Sequence, residues 1–294
     1  MKIIDLTEQY IKTVLKQNDF ARYYNYYPTL FNHYFLYWAD KKNNCVLLNK
    51  EEIIIKKQLI KQAINKIEKI LTKQKIKHAN LKIILFIGQN TTNGHAFNDN
   101  GEFAIWIPLE AYTTNKQAEI FIAHEIVHCL HYKLQPEFYF SDVEEKNNTG
   151  RQLMTEGIAT IITKTIESLA DSEVLWADYL TREKIIEWLE NCEKKYNNLA
   201  KLVLEHWDKP DIAEIFMAND PKNILAYRGG YYLALKIIEK IVIKEKLSPI
   251  GLLQIPRNEL NKKFLQYLSE GDSLDIETAT TTRTRSSSRC RRRR

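Results

Sequence analysis

Hydrophobic and polar positions follow the period of an α-helix over most of the chain. Between Glu51 and Lys75, isoleucines and leucines recur mostly every three to five residues among lysines and glutamines, which predicts a long amphipathic helix. The same pattern predicts seven further helical segments: Leu6–Gln17, Pro28–Trp38, Lys116–Leu134, Gln152–Leu169, Ser172–Asn197, Ala226–Lys246 and Pro256–Ser269. We therefore expect a mainly α-helical protein.

A short stretch before the Lys116 helix has a different pattern. Residues Leu81–Gly88 are β-branched and aromatic, which predicts a buried strand. Residues Asn90–Gly101 are rich in Asn, Thr and Gly and predict a loop or hairpin tip. Pro108 within Phe103–Leu109 favours an edge strand. The fold class is therefore predicted as α+β, mainly α, with a small mixed sheet and an edge strand preceding the central helix.

Charge is concentrated at the carboxyl end. Seven arginines lie in the last dozen residues, and without them the formal charge falls from +6 to −1. The Thr/Ser/Arg-rich composition of residues 271–294 predicts a tail that is disordered or an artefact of the reading frame, which argues against nucleic acid as a partner. No apolar run reaches the roughly 20 residues of a membrane helix, and no signal peptide is visible. The expected compartment is the cytoplasm, with leaderless export as an effector or toxin as the alternative.

The sequence His124-Glu125-Ile126-Val127-His128 carries the chemistry. Residues four apart lie on one face of a helix, so both imidazoles can bind one zinc ion. Glu125 then lies beside the metal and can act as general base toward a water that zinc activates. The apolar neighbours of the motif are those of a helix buried beside a dry site. We expect one Zn²⁺ as cofactor and a peptide or protein as substrate.

A third protein ligand is required at a catalytic zinc. His131 is about 10 Å from His124 along a straight helix, which excludes it as a shared ligand. Glu156 in the segment TEGIAT is the preferred candidate, because a helix places it and small neighbours allow close helix packing. Glu144 and Glu145 are rivals in a polar segment that is typical of a surface loop.

These motifs resemble those of the gluzincin metallopeptidases. HEIVH followed by a helical glutamate, TEGIAT and the late segment Tyr227-Arg228-Gly229-Gly230-Tyr231-Tyr232 are similar to uncharacterised bacterial zinc-dependent proteases. The resemblance covers roughly residues 81–241. It implies a zincin-like domain over residues 79–270 after a helical N-terminal region, residues 1–78. It also implies an extended peptide bound along an edge strand, for which Phe103–Leu109 is the candidate.

A peptidase also needs a donor to the oxyanion of the tetrahedral intermediate. Tyr231 and Arg228 are the candidates if the late helix faces the zinc, and His95 is a weaker alternative. The absence of a GxMEN-type motif favours an endopeptidase over an aminopeptidase. The competing hypothesis is a metal-bearing protein that binds a peptide or regulates a partner without cleaving it.

Overall fold

The computed structural model describes residues 1–223 and 226–271. Within them, a small sheet is covered by helices, in agreement with the predicted mainly helical α+β class. The sheet has four strands in the order β1-β2-β4-β3, in which β1, β2 and β4 are parallel and β3 is antiparallel to β4. The strands are β1 (Lys2–Asp5), β2 (Lys82–Phe86), β3 (His95–Asp99) and β4 (Glu102–Pro108).

Strand β1 was not predicted from the sequence. It is four residues long and only partly buried, so its own hydrophobic pattern is weak. Its partner is distant in the chain, because Lys2 pairs with Lys82 and Ile3 with Ile83. The N-terminal region thus contributes a strand to the sheet, and its separation from the rest at residue 78 stays a prediction.

The edge of the sheet differs from the prediction. Phe103–Leu109 was predicted as the edge strand, but β4 pairs with β2 on one side and with β3 on the other, so this assignment is wrong. The edge strand on this side of the sheet is β3, within a segment that was predicted as a loop or hairpin tip. The polar composition of this segment did not indicate a strand, although Ala96 and Phe97 are fully buried. Asn100 and Gly101 form the predicted hairpin tip between β3 and β4.

The predicted helical segments are largely present, whereas the helices at Phe20–Tyr24, Val143–Asn147 and most of Tyr196–Glu205 were not predicted. The longest is capped by a reciprocal pair in which Asn49 accepts from the amide of Glu52 and Glu52 accepts from the amide of Asn49. The helices are α1 (Thr7–Tyr10), which continues as a π-helical turn over Ile11–Leu15, α2 (Phe20–Tyr24), α3 (Pro28–Tyr37), α4 (Lys50–Lys73), α5 (Asn115–Leu134), α6 (Val143–Asn147), α7 (Thr149–Glu167), α8 (Asp171–Trp176), α9 (Arg182–Lys194), α10 (Tyr196–Glu205), α11 (Gly229–Lys244) and α12 (Arg257–Ser269). The single helix expected over Ser172–Asn197 is divided between α8, α9 and the start of α10.

Helix α5 lies at the centre of the molecule. It begins after Thr114, whose hydroxyl accepts from the amide of Gln117, and most of its residues are buried on all sides. It packs against β3 and β4 on one side and against α4 and α7 on the others. A helix buried all round has fixed side-chain positions, and this rigidity suits a site that must hold several groups in register.

Close packing brings α7 and α11 together behind the site. A Cβ added at Gly157 would lie 3.0 Å from the carbonyl oxygen of Ala234. The small residue in TEGIAT therefore allows α11 to pack closely, whereas the prediction was close packing of α5. Gly230 likewise allows Phe216 to pack closely against the start of α11, because an added Cβ would lie 2.8 Å from the Phe216 ring. No helix among the described residues has the length and apolar character needed to cross a membrane. The predicted tail lies, apart from Gly271, outside the described residues.

Candidate metal centre

Three of the predicted site residues converge on one point. Nε2 of His124 lies 3.0 Å from Nε2 of His128 and 3.0 Å from Oε2 of Glu156. The distance from Nε2 of His128 to the same carboxylate oxygen is 3.4 Å. The histidines are one turn apart on α5, and Glu156 reaches them from the second turn of α7. One ligand atom of each residue lies within 4.8 Å of the other two.

The spacing of these atoms fits a metal ion. Ligand atoms about 2.1 Å from a tetrahedral zinc ion are about 3.4 Å from one another, close to the separations observed here. Two imidazoles and one carboxylate are also the donor types that zinc accepts at catalytic sites. Both histidines are buried, with 8% of His124 and 5% of His128 exposed. The nitrogen and oxygen lone pairs therefore converge in a buried place, where a bound cation would stabilise them.

Electrostatics within this group favours an ionised glutamate. Burial alone would raise the pKa of Glu156, but the two histidines hold it well below its usual range. Burial lowers the pKa of His124. Burial also opposes the charged form of His128, but the Glu156 carboxylate raises the pKa of that histidine above its ordinary value. The group therefore carries a carboxylate charge that attracts cations.

Glu125 lies next to the group without joining it. Burial raises its pKa to about 7, attraction to His128 and the backbone amide of Ala96 lower it, and repulsion from Glu156 raises it. Its Oε2 has no hydrogen-bond partner among the described residues. A carboxylate with a pKa near neutrality and an unoccupied oxygen can accept and release a proton at physiological pH.

Arg228 and Tyr231 lie at the start of α11, on the same cavity. The Tyr231 ring is 6.3 Å from that of His124 between centroids, and burial raises the pKa of its hydroxyl group, which stays protonated. The Arg228 guanidinium lies 4.3 Å from the Tyr231 ring centroid and 5.0 Å from that of Trp176. Its Nε has no partner in the described chain, and its backbone is left-handed, with φ of 58°. Strain of this kind at a non-glycine residue is concentrated at functional sites.

The other candidates from the sequence lie elsewhere or outside the ligand group. His131 is fully buried against Phe138, at 4.3 Å between ring centroids, and is not part of the group, as its spacing predicted. Glu145 forms an ion pair with Arg257 at 2.8 Å, and Glu144 is exposed. His95 lines the same cavity from β3, without joining the ligand group.

The group opens into a cavity of about 330 Å³. Its wall includes residues 90–95, the start of α11 and several residues that sequence reasoning did not select, among them Trp38, Lys146 and Arg151. Lys146 and Arg151 belong to or follow the polar segment that was predicted as a surface loop, and both are buried. No local pattern marks them, because their burial depends on the packing of α6 against α7.

The mainly helical α+β fold and its His-His-Glu group define a candidate metalloprotein. The chain belongs to the family described as "Putative zinc dependent peptidase (DUF5700)", whose model matches residues 5–250. No match was found among curated proteins or among solved structures. The match begins at Asp5, the last residue of β1, and includes the candidate metal ligands His124, His128 and Glu156. The description agrees with zinc as the metal and with a peptide or protein as the substrate.

Proposed function

We propose that this protein is a single-zinc endopeptidase of the gluzincin type, in which His124, His128 and Glu156 hold the ion. The observation that carries the proposal is the convergence of these three side chains, in a buried place, beside the carboxylate of Glu125, whose Oε2 is buried without a hydrogen-bond partner among the described residues. The family description supports zinc dependence and peptide hydrolysis.

Glu125 is the proposed proton carrier. A bound zinc ion supplies Lewis-acid chemistry, which polarises a carbonyl group and lowers the pKa of water to about 7. Glu125 takes a proton from the attacking water at its unpartnered Oε2 and then delivers it to the leaving amine. Its raised pKa supports both steps, since the protonated and ionised forms are both accessible near pH 7.

Tyr231 and Arg228 are the proposed donors to the oxyanion. The Tyr231 hydroxyl keeps its proton because burial opposes ionisation, and Arg228 carries a permanent charge. Aromatic rings hold the Arg228 guanidinium, while no ion pair of the described residues neutralises it. Both side chains can therefore stabilise negative charge that develops in the cavity.

The substrate is proposed to lie in the cavity beside β3. Because both edges of β4 are occupied by strands, the sheet edge that borders the cavity is the outer side of β3, and we expect an extended peptide to lie along it and along the residues before it. The amide of Asn98 on this side is within 3.4 Å of the Tyr139 hydroxyl, so the accessible part is the cavity wall formed by residues 90–95. Trp38 from the N-terminal region covers part of the cavity.

The test combines metal analysis with a matched pair of variants. Purified protein is expected to contain one zinc per chain and to cleave peptides in a mixed library. Glu125→Gln should keep the zinc and lose at least about 100-fold in kcat/KM, as expected for removal of a general base. Glu119→Gln, on the same helix and outside the cavity, is the control; it removes an ion pair with Lys66 and should keep wild-type zinc content and activity.

Two results would contradict the assignment. Loss of zinc in Glu125→Gln together with retention of zinc in Glu156→Ala would reverse the roles of the two glutamates. One zinc per chain without cleavage of any peptide would reject proteolysis and favour the non-catalytic peptide-binding hypothesis.

A further inference from the structure

The wall of the cavity contains a second charged group, whose sign is opposite to that of Glu156. Lys146 lies in the last turn of α6, lines the cavity and is only 7% exposed. No ion pair of the described residues includes it, and its one polar contact is a long one of 3.5 Å to Oδ1 of Asn147. Its Nζ lies 4.2 Å from the ring centroid of Trp38, a cation–π contact that stabilises the charge only in part.

Arg151 fixes the position of this lysine. The guanidinium donates to the backbone carbonyls of Phe138, Glu145 and Lys146, at 3.3, 2.8 and 2.6 Å. These three bonds hold the end of α6 against α7, and Arg257 holds Glu145 from the outside. Arg151 likewise takes part in no ion pair of the described chain, so two adjacent buried cations lack a carboxylate partner.

The surroundings offer further unpartnered polar atoms. Nε2 of His95 and Nε1 of Trp38 are buried without a hydrogen-bond partner in the described chain, and both residues line the cavity. Burial holds the pKa of His95 well below its usual range, and the neighbouring cations lower it further, so His95 is neutral. An occupant of the cavity near Lys146 therefore meets positive charge and apolar rings, including that of Phe140.

Lys146 nevertheless remains charged at neutral pH. Burial lowers its pKa to about 8, repulsion from Arg151 lowers it, and Glu156 raises it. Glu156 is committed to the two histidines and does not form an ion pair with Lys146. A buried charge without a partner is costly, and proteins retain one where a ligand supplies the counter-charge.

We propose that Lys146, held by Arg151 and backed by Trp38, forms a subsite for a carboxylate of the peptide substrate. The inference rests on the proposed peptidase function and adds a specificity to it. The carboxylate comes either from an Asp or Glu side chain near the scissile bond or from the free C-terminus of the peptide. The second source would make cleavage depend on distance from the substrate's end.

The test uses short synthetic peptides of mixed sequence, each prepared with a free C-terminus and with a C-terminal amide. Cleaved bonds are identified by mass spectrometry. Wild type should prefer one carboxylate source over its amide isostere by about 10- to 100-fold, the range for a hydrogen bond to a charged group. Comparing cleavage of the free-acid and amide peptides tests whether the C-terminal carboxylate is recognised. Within the amide set, comparing peptides that contain Asp or Glu with those that contain Asn or Gln tests whether a side-chain carboxylate is recognised.

Variants locate the preference at Lys146. Lys146→Met should abolish the carboxylate preference, whereas Lys146→Arg should retain most of it. Lys262→Met removes an exposed charge outside the cavity and should leave the preference at its wild-type value. Absence of any preference in wild type would overturn the inference, as would an equal loss on acid and amide peptides in Lys146→Met. The melting temperature of Lys146→Met should equal or exceed that of wild type, and a clear fall with an unchanged preference would make Lys146 merely structural.

A binding measurement separates this inference from the proposed function. Zinc-loaded Glu125→Gln, with and without Lys146→Met, is equilibrated with the same peptides, and the retained fraction is identified. If wild type cleaves nothing while retention of carboxylate peptides depends on Lys146, proteolysis fails and the subsite stands. If cleavage occurs but neither cleavage nor retention depends on a carboxylate, the subsite fails and the peptidase stands.

Discussion

Gly94 lies immediately before β3 and supports the position of Glu125. A Cβ added there would be 3.1 Å from Cγ of Glu125 and 3.2 Å from the carbonyl oxygen of Trp106. The Trp106 oxygen belongs to β4, which is paired on both sides and cannot move easily. Gly94→Ala should therefore displace Glu125 by a few tenths of an ångström, because this side chain moves more easily than the backbone of β4.

Two magnitudes follow from this geometry. The φ angle of Gly94 is +154°, which L residues rarely adopt, so the free energy of unfolding should fall by about 1–3 kcal/mol. Because a 1 Å displacement of a catalytic group can cost about 100-fold in rate, the smaller shift should lower kcat/KM by roughly 10-fold. Zinc content should stay at the wild-type level, since none of the nearest contacts of the added Cβ is to a metal ligand.

Gly101→Ala is a matched control at the other end of β3. Gly101 also has a positive φ, of +92°, but an added Cβ meets no atom within 4 Å. It should lose comparable stability in urea unfolding while keeping wild-type activity and zinc. Equal activity in the two variants would refute the argument that Gly94 supports Glu125, and unchanged stability of Gly94→Ala would refute the backbone argument.

Three other predictions concern the metal site, the core and acid stability. Glu156→Gln removes the carboxylate charge shared by both histidines and should weaken zinc binding by at least about 10- to 100-fold, a loss that is typical even for groups that only hydrogen-bond to a ligand. Competition with a chelator measures the affinity, and a wild-type value would exclude Glu156 as a ligand. Gly150→Ala places a Cβ 2.5 Å from the Trp207 indole and should cost about 1–3 kcal/mol in urea unfolding, which an unchanged midpoint would disprove. Burial opposes the ionisation of Asp171, but two lysines lower the pKa of its carboxyl group below the ordinary value of 3.8. The contribution of this carboxylate to folding stability is therefore complete above that ordinary value and is lost as the pH falls through the pKa of the folded state. Asp171→Asn should therefore lose less stability than wild type on acidification below about pH 4, and parallel pH curves would contradict this.

The candidate ligands could be predicted because their arrangement is local. His124 and His128 are one turn apart, so the helical period alone places them on one face, and the period of α5 is clear in the sequence. Glu156 required one further assumption, that its helix approaches α5, and the structure brings the three side chains together. Tyr231 and Arg228 were placed beside them by the same assumption about α11.

The positively charged end of the cavity could not be predicted in this way. Lys146 lies in a segment whose composition is that of an exposed loop, and its burial depends on the backbone bonds from Arg151 and on contact with Trp38, more than a hundred positions earlier. Composition records how polar a segment is but not which distant residues cover it. A buried lysine and an exposed one have the same signature in the sequence.

The sequence by itself determined most of the long helices, the His-Glu-His spacing on α5 and the mainly helical α+β class, because hydrophobic periodicity and i, i+4 geometry act over a few residues. Only the tertiary structure decided that β1 and β3 form the two edges of the sheet. Strand β4 is internal because β2 and β3 occupy its two sides, and β1 joins the sheet across about eighty residues of intervening chain. Such pairings depend on backbone hydrogen bonds that any sequence can form, so the side chains of one strand carry little information about its neighbours. The same non-local packing placed Lys146 and Arg151 in the wall of the cavity that the candidate ligands His124, His128 and Glu156 also line.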